Sequence, residues 1–138
     1  MTTIAFHYED KEIAVDSRVC CGSVIMTDSR NKIIEKGDLV FVLSGDNASI
    51  DALINSYPCA NGVSDAAGFL VKGGVVYAID CRDDVISESV VDYNDANGDG
   101  YSFALSAMDY GCSAHDAVEY AKARNCKTGG KVNVIKVK

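Results

Sequence analysis

Thr2 and Thr3 follow the first methionine of the chain, at a position where most proteins fray. The residues after them, including Ile4 and Phe6, favour a β-strand, so we expect the terminus to be held in place. A free α-amine has a pKa of about 7.7–8.0, well below the ~10.4 of a lysine, so it can accept a proton near neutral pH. If Met1 is removed, Thr2 carries that amine beside its own hydroxyl, which is an established way to activate a threonine as a nucleophile.

Such a nucleophile needs a carboxylate, a cation and hydrogen-bond donors around it. Asp16 ends the strand predicted to pair with the terminal strand, so it is expected beside Thr2. Lys32 follows 16 residues later between apolar strand residues, where an unpaired charge would be costly, and Asp16 is its expected partner. Ser44-Gly45 ends a buried strand just before a helix, where free backbone N–H groups can face a developing anion.

The segment Asp16-Ser17-Arg18 has a second interpretation. It could form a structural turn cluster with an ion pair, since such networks also perturb pKa values. On composition alone, Thr2 and Thr3 could likewise be ordinary β-formers at the start of a strand.

The elements that must position these residues follow from the pattern of apolar residues. The first two thirds of the chain predict a hairpin at 3–8 and 12–17, a short extended stretch at 23–34, a buried strand at 38–45, a helix at 46–57, a second hairpin at 68–80 and a ragged strand at 84–94. The last third predicts helices at 102–110 and 113–124 and a closing strand at 128–137. This order predicts an α+β fold, with helices packed on antiparallel sheets, in one domain over residues 1–138.

Charge and composition exclude several classes of function. The net charge of −7 argues against nucleic acid and anionic membranes as partners. No apolar run approaches the roughly 18 residues of a membrane span. His7, Glu9 and Asp10 stand where a signal peptide would be apolar, so none is expected and the protein is predicted to be cytoplasmic. The six cysteines include no C-x-x-C pair and are expected to be reduced and packed as small hydrophobes.

One segment resembles a calcium loop. Asp95, Asn97, Asp99 and Gly100 stand at positions 1, 3, 5 and 6 of that motif, where alternate oxygens converge around a tight glycine turn. Position 12 is Ser106 instead of the usual bidentate glutamate, and a polar turn before a helix would look similar. Calcium is therefore a weak alternative to the prediction that the protein uses no cofactor.

Several segments together resemble the proteasome β-subunit and HslV peptidase family, in order from residue 2 to nearly the end. They are "TTIAFHYEDKEIAVDSR", Lys32, "LSGDNASIDAL", "GDGYSFALSAMDYGCSAHDAVEYA" and "KTGGKVNVI". The resemblance implies an N-terminal nucleophile hydrolase fold, which is a four-layer αββα sandwich of two antiparallel sheets. It also implies that Thr2 is the nucleophile, that Asp16 and Lys32 are its charge pair, and that the Gly45 N–H forms the oxyanion hole.

The chain departs from this family at three places. The family's Gly-Ser-Gly loop, whose serine supports the terminal amine, is here Gly98-Asp99-Gly100, so Asp99 is the candidate for that role. The family's late aspartate and the serine three residues on are matched by Asn125 and Thr128. Between Gly45 and Gly98 there is room for a single short helix where the family has a long pair, so stacked double rings are not expected.

Two functions remain open at the level of sequence. The first is a threonine peptidase subunit that hydrolyses peptides or unfolded proteins in a homo-oligomeric ring, with an ATP-dependent unfoldase as a candidate partner. The second is a ring-forming relative that has kept the fold and lost the chemistry. A retained Met1 would block the Thr2 amine and would favour the second.

Overall fold

The computed structural model describes residues 2–138, and in that range it contains eleven strands and three helices. The strands are β1 (Thr3–His7), β2 (Glu12–Val15), β3 (Val19–Cys21), β4 (Val24–Thr27), β5 (Ile33–Lys36), β6 (Leu39–Gly45), β7 (Asp65–Lys72), β8 (Val75–Arg82), β9 (Val85–Val90), β10 (Asp95–Gly98) and β11 (Asn133–Lys136). The helices are α1 (Asn47–Ser56), α2 (Tyr101–Asp109) and α3 (Ala114–Arg124).

All the strand pairs in this range are antiparallel, and they form three sheets. A four-stranded sheet has the order β10-β1-β2-β11, a five-stranded sheet has the order β5-β6-β7-β8-β9, and β3 pairs with β4 alone. The predicted α+β fold with antiparallel sheets is confirmed. The expectation of two sheets was wrong, because the β3–β4 hairpin forms a third, two-stranded sheet outside the two large ones.

Three apolar clusters connect the elements. The first joins one face of the four-stranded sheet, through Ile4 and Phe6, to Phe69 of the five-stranded sheet. The second joins the opposite face of the four-stranded sheet to α2 and α3. The third joins α1 to the five-stranded sheet, where Leu53 packs with Phe41. Successive residues of β1 point to opposite faces of the sheet, so the strand contributes to both of the first two clusters. Ile4 and Phe6 lie in the first cluster and Ala5 lies in the second.

Most predicted elements are present close to their predicted bounds. Asp46 caps α1 by accepting a hydrogen bond from the Ser49 N–H at 2.8 Å, and Ser113 caps α3 by accepting one from the Asp116 N–H at 3.1 Å. The β7–β8 hairpin turns at Gly73-Gly74, with φ of 60° and 76°, which a residue with a side chain rarely adopts.

One prediction of local structure was wrong, and two features of the sheets were not predicted. The extended stretch expected at 23–34 is interrupted, since β4 ends at Thr27 and β5 begins only at Ile33. The β3–β4 pairing was not predicted. The segment that resembled a calcium loop is largely the strand β10, which pairs with β1 in a register that puts Asp95 opposite Phe6 and Asn97 opposite Ile4.

The six cysteines are free thiols in different environments. Cys20 and Cys81 are buried, which fits the prediction that they pack as small hydrophobes. That prediction was wrong for Cys21, Cys59 and Cys126, which are exposed. Residues 2–138 include no helix with the length and apolar character needed to cross a bilayer.

Candidate active site

Thr2 lies at the entrance to β1 and is almost fully buried, with 5% of its surface exposed. The next residue, Thr3, is paired with Gly98 of β10. A side chain at Gly98 would bring its Cβ within 1.8 Å of the Thr2 carbonyl oxygen, so only glycine permits β10 to approach this closely. The start of β1 is therefore held in place, as expected from the sequence.

Lys32 connects the predicted nucleophile to the predicted carboxylate. Its Nζ lies 3.0 Å from the Thr2 Oγ1, 2.9 Å from the Asp16 Oδ1 and 2.6 Å from the Arg18 carbonyl oxygen. These contacts use all three hydrogen-bond donors of an ammonium group. The structure thus brings Thr2, Asp16 and Lys32 into direct contact.

Asp16 is fully buried at the end of β2 and holds several groups at once. Its Oδ1 accepts hydrogen bonds from Lys32 and, at 3.3 Å, from the Thr3 N–H. Its Oδ2 accepts one from the Gly129 N–H at 2.9 Å. A buried carboxylate is stable when its oxygens are satisfied in this way, so Asp16 fixes Lys32, β1 and the loop before β11 relative to one another.

The pKa of Lys32 is lowered from its usual value. Burial is the main cause, because it disfavours the charged ammonium, while the Asp16 carboxylate acts in the opposite direction. Only 9% of the Lys32 side chain is exposed. Lys32 is thus a cation beside the Thr2 hydroxyl that gives up its proton more readily than an exposed lysine.

A second group of hydroxyls lies beside β1. The Thr3 Oγ1 is 2.7 Å from the Thr128 Oγ1, and the Thr128 hydroxyl donates to the Asn125 Oδ1 at 3.1 Å. The sequence alone gives Asn125 and Thr128 no structural role. In the structure they connect Thr3 to the loop before β11.

Arg18 holds two loops against this site. Its guanidinium makes a bidentate pair with Asp28, at 2.8 and 3.1 Å, and donates to the Cys126 carbonyl at 2.9 Å. A Cβ at Gly129 would lie 2.3 Å from the Arg18 Cζ, so glycine lets the guanidinium pack directly on that backbone. The ion pair considered from the sequence therefore exists, but with Asp28 as the partner of Arg18, while Asp16 pairs with Lys32.

Gly45 lies at the end of β6, immediately before the cap of α1. Its φ of +137° is rare for any residue with a side chain, and a Cβ there would lie 2.5 Å from the Asp65 carbonyl oxygen of β7. Both facts require glycine. Gly45 faces the same cleft as Thr2.

The cleft runs from Thr2 to the first turn of α1. It is lined by Thr2, Arg18, Val19, Cys20, Arg30, Asn31, Lys32, Ile34, Leu43, Gly45, Asn47, Ile50 and Asp51. Thr2 and Gly45 therefore line the same cleft, on opposite sides of which lie β1 and the junction of β6 with α1. The contribution of α1 and β5 to its walls was not predicted, because it depends on how those elements pack.

Asp99 lies in the turn between β10 and α2, one residue after Gly98, and is exposed. The predicted hydrogen bond from Asp99 concerns the Thr2 amine after removal of Met1, and Met1 lies outside the described residues.

The segment that resembles a calcium loop makes other contacts. Asn97 accepts a hydrogen bond from the Ser44 hydroxyl at 3.0 Å, and burial raises the pKa of the Asp95 carboxyl. No group of three or more His, Cys, Asp or Glu side chains within residues 2–138 is arranged to hold a metal ion.

Comparison with known proteins gives similarity only at the level of structure. No family model and no curated protein matches the chain. Two solved structures of the protein BPH from Thiobacillus denitrificans are similar. One is superposed with a TM-score of 0.71 at 15% identity, covering 100% of this chain and 99% of the other. The second, in complex with epoxomicin, gives 0.70 at 14% identity and covers 99% of both chains. The likeness is one of fold.

Proposed function

We propose that this protein is a threonine peptidase in which Thr2, freed by removal of Met1, attacks peptide carbonyls. The observation that carries the proposal is the contact of the Lys32 Nζ with the Thr2 Oγ1, at 3.0 Å, while buried Asp16 holds the same ammonium at 2.9 Å. A lysine held against a threonine hydroxyl by a buried carboxylate lowers the cost of an alkoxide at that hydroxyl. The alternative, a relative that has lost the chemistry, is the outcome to be tested against it.

The first step transfers the Thr2 hydroxyl proton to the terminal amine as the Oγ1 attacks the peptide carbonyl carbon. Lys32 contributes in two ways. Its charge stabilises the developing alkoxide, and its repulsion of the protonated amine keeps the amine neutral, and so able to accept a proton, before the step begins. The Gly45 N–H stabilises the tetrahedral oxyanion, a contribution whose loss typically costs about 10²–10³ in rate.

The second step completes the hydrolysis. The terminal ammonium returns its proton to the leaving amine as the carbon–nitrogen bond breaks, which leaves an ester between the substrate and Thr2. A water molecule then attacks that ester, the amine accepts its proton and passes it to Oγ1, and the acid product leaves. Asp99 is proposed to contribute a hydrogen bond to the amine, at the cost of a raised amine pKa.

The proposal includes the layered architecture of the N-terminal nucleophile hydrolases. In support, α2 and α3 pack on one face of the four-stranded sheet, its other face packs on the five-stranded sheet, and α1 covers the far face of the latter. This is the order expected of a four-layer αββα sandwich. The fold similarity to the Thiobacillus denitrificans protein over nearly the whole chain is further support.

The test uses protein whose N-terminus has been verified as Thr2 by intact mass spectrometry. It is incubated with epoxomicin, the compound bound by the Thiobacillus denitrificans protein, and separately with small fluorogenic peptides. We expect one covalent adduct located on Thr2 and peptide cleavage above background. Thr2→Ala is expected to abolish both, whereas Thr2→Ser, which keeps a hydroxyl beside the amine, is expected to retain part of each.

Two controls make the result decisive. Protein that retains Met1 has no free Thr2 amine and should be unreactive, although its fold is unchanged. If the processed protein neither forms an adduct nor cleaves peptides above the Thr2→Ala background, the peptidase proposal is wrong and the inactive relative is the better description.

A further inference from the structure

A hydrogen bond between two side chains joins the two large sheets close to the cleft. The Ser44 hydroxyl, on β6 of the five-stranded sheet, donates to the Asn97 Oδ1, on β10 of the four-stranded sheet, at 3.0 Å. Both side chains point between the sheets. Ser44 lies on the same face of β6 as Val42, Asn97 is paired with Ile4, and both apolar residues belong to the cluster between the sheets.

Each partner of this hydrogen bond is the neighbour of a residue that holds part of the candidate site. Ser44 directly precedes Gly45, whose backbone faces the cleft. Asn97 directly precedes Gly98, whose backbone lies so close to the Thr2 carbonyl oxygen that a Cβ would come within 1.8 Å of it. The hydrogen bond thus connects the strand end that carries the proposed oxyanion donor to the strand that holds the nucleophile.

The other contacts between the sheets fix this distance less sharply. In the first cluster, Phe6 and Phe69 pack with ring centroids 6.0 Å apart, and apolar contact of this kind has no preferred direction. Asn97 also lies where that packing gives way to a groove of about 250 Å³ between the sheets. The polar side chains that line the groove beside it are Asp80, Ser87, Ser89 and Asp95. A directional bond at this place therefore sets how β10 sits on β6.

We propose that Ser44 and Asn97 are positioning residues whose hydrogen bond fixes the separation between the Thr2 hydroxyl and the Gly45 N–H. The inference rests on the proposed peptidase function, since it concerns the geometry of the same site. Neither side chain is part of the cleft lining, so both act through the backbone of the residue that follows them. A displacement of about 1 Å between reacting groups can cost about 10² in rate.

The experiment measures kcat and KM separately for one fluorogenic peptide, with protein whose N-terminus is verified as Thr2. Ser44→Ala removes the donor, and Asn97→Leu replaces the amide by a side chain of similar size that cannot accept. We expect each to lower kcat by about tenfold to a hundredfold while KM stays within about twofold, because the lining of the cleft is unchanged. The double variant should be no slower than the slower single variant, since one bond is lost in each case.

Two further variants separate positioning from a general loss of structure. Ser44→Thr keeps a hydroxyl at the same position and should retain most of the wild-type kcat. Ser89→Ala is the matched control, because it makes the same change as Ser44→Ala at a serine that lines the groove from β9. It should leave kcat and KM unchanged. If Asn97→Leu does not fold, the comparison of Ser44→Ala with Ser44→Thr and Ser89→Ala decides the question.

Adduct formation by epoxomicin at Thr2 of the wild type separates the two possible failures. If no adduct forms and no peptide is cleaved, the peptidase function fails and the positioning role with it. If the wild type reacts, three results would each overturn the positioning role alone. They are an unchanged kcat in Ser44→Ala, a loss that appears in KM instead of kcat, and a loss in Ser89→Ala or Ser44→Thr as large as that in Ser44→Ala.

Discussion

At the scale of single residues, the candidate site depends on one lysine with three neighbours. The Lys32 ammonium donates to a hydroxyl, a carboxylate and a backbone carbonyl, so it has no donor left for water. Asp16 is fully buried, and Lys32 forms an ion pair with it at 2.9 Å. The same contacts that orient the lysine towards Thr2 therefore also stabilise the junction of β1 and β2.

Removing the Lys32 charge should cost both activity and stability. Lys32→Ala leaves Asp16 buried and unpaired, and breaking a buried pair in this way typically costs about 3–5 kcal/mol of the free energy of unfolding. We expect peptide cleavage to fall to near background and the urea midpoint to fall by a corresponding amount. Lys136→Ala, at an exposed lysine of β11, is the control and should change neither. In the double variant Asp16→Asn/Lys32→Ala the stability loss should be smaller than the sum of the single losses, and simple additivity would contradict the coupling.

The rate should depend on pH through two groups with opposite requirements. The Thr2 amine must be neutral to accept a proton, so the rate rises with pH through the amine pKa, ordinarily about 7.7–8.0. Lys32 must be charged, so the rate falls as it loses its proton, and burial lowers the pKa of Lys32 below its usual 10.5. The profile of kcat/KM should therefore be bell-shaped, with its falling limb below pH 10.5.

Lys32→Arg tests the assignment of that falling limb. Arginine stays protonated across this range, so a variant with residual activity should lose the alkaline fall while keeping the rising limb. An unchanged alkaline fall in Lys32→Arg would show that another group controls it.

The residues of the site differ in how far the sequence could predict them. Asp16 follows from local pattern, because a hairpin returns the end of its second strand to the start of its first. Lys32 follows from its place directly before the apolar strand β5, where a buried ammonium would need a nearby anion. Thr128 and Gly129 come within hydrogen-bond distance of β1 and β2 from more than a hundred residues away. No local pattern predicts that approach, which depends on the packing of α3 and β11.

At the scale of elements, the passage from β6 into α1 sets the geometry on the other side of the cleft. Gly45 ends the strand with a backbone conformation that glycine alone adopts readily, and Asp46 then caps the helix. Ser49 secures the same turn to the start of β7, because its Oγ accepts from the N–H groups of Ser64 at 3.0 Å and Asp65 at 3.3 Å. The backbone at Gly45 is therefore fixed from both sides of the turn.

Gly45→Ala should disturb this junction because two penalties act together. The φ of +137° is unfavourable for alanine, and the new Cβ would lie 2.5 Å from a backbone oxygen of β7, which cannot move aside cheaply. Strain of this kind typically costs about 1–3 kcal/mol of stability. Displacement of the Gly45 N–H should also reduce kcat by about 10²–10³.

The control for this prediction is Gly37→Ala, at a turn glycine with a positive φ but no atom within 4 Å of the added methyl group. It should lower stability modestly and leave kcat unchanged, because it lies away from the cleft. Equal losses of kcat in the two variants would contradict the role given to Gly45.

Prediction of the elements succeeded where a periodic apolar pattern meets a core. The helices and long strands pack one face on a cluster, and that face is visible in the sequence. The β3–β4 hairpin was missed because its strands have three and four residues and Val24, Ile25 and Met26 are exposed on both faces, so there is no alternation to detect. β10 was missed because its polar residues resemble a turn.

At the scale of the whole molecule, the β3–β4 hairpin exposes more apolar surface than an isolated soluble chain usually does. Val24, Ile25 and Met26 are exposed by 59, 50 and 62%, and successive strand residues point to opposite faces, so both faces are uncovered. A two-stranded hairpin is only marginally stable alone in water. The segment 19–27 also contains no charged residue, although the chain has a net charge of −7. An exposed hairpin that is apolar and uncharged is typical of a protein–protein interface.

The homo-oligomeric ring expected from the sequence can be tested on this hairpin. We expect the wild-type protein to elute as an oligomer in size-exclusion chromatography with light scattering. Raising the salt concentration should strengthen its assembly, because salt screens the repulsion between acidic chains. Ile25→Asp and Met26→Asp put a charge on opposite faces of β4, and at least one of them should reduce the mass to that of the monomer. It should do so without lowering the free energy of unfolding by more than about 0.5 kcal/mol, as for other exposed sites. The control is Val85→Asp, which puts the same charge at a valine of β9 that is 68% exposed and lies outside the hairpin. It should leave the mass unchanged.

Two outcomes would contradict this prediction. A wild type that remains monomeric at high protein and salt concentration would contradict the ring. An oligomer that persists in both Ile25→Asp and Met26→Asp would show that its interface lies outside the hairpin.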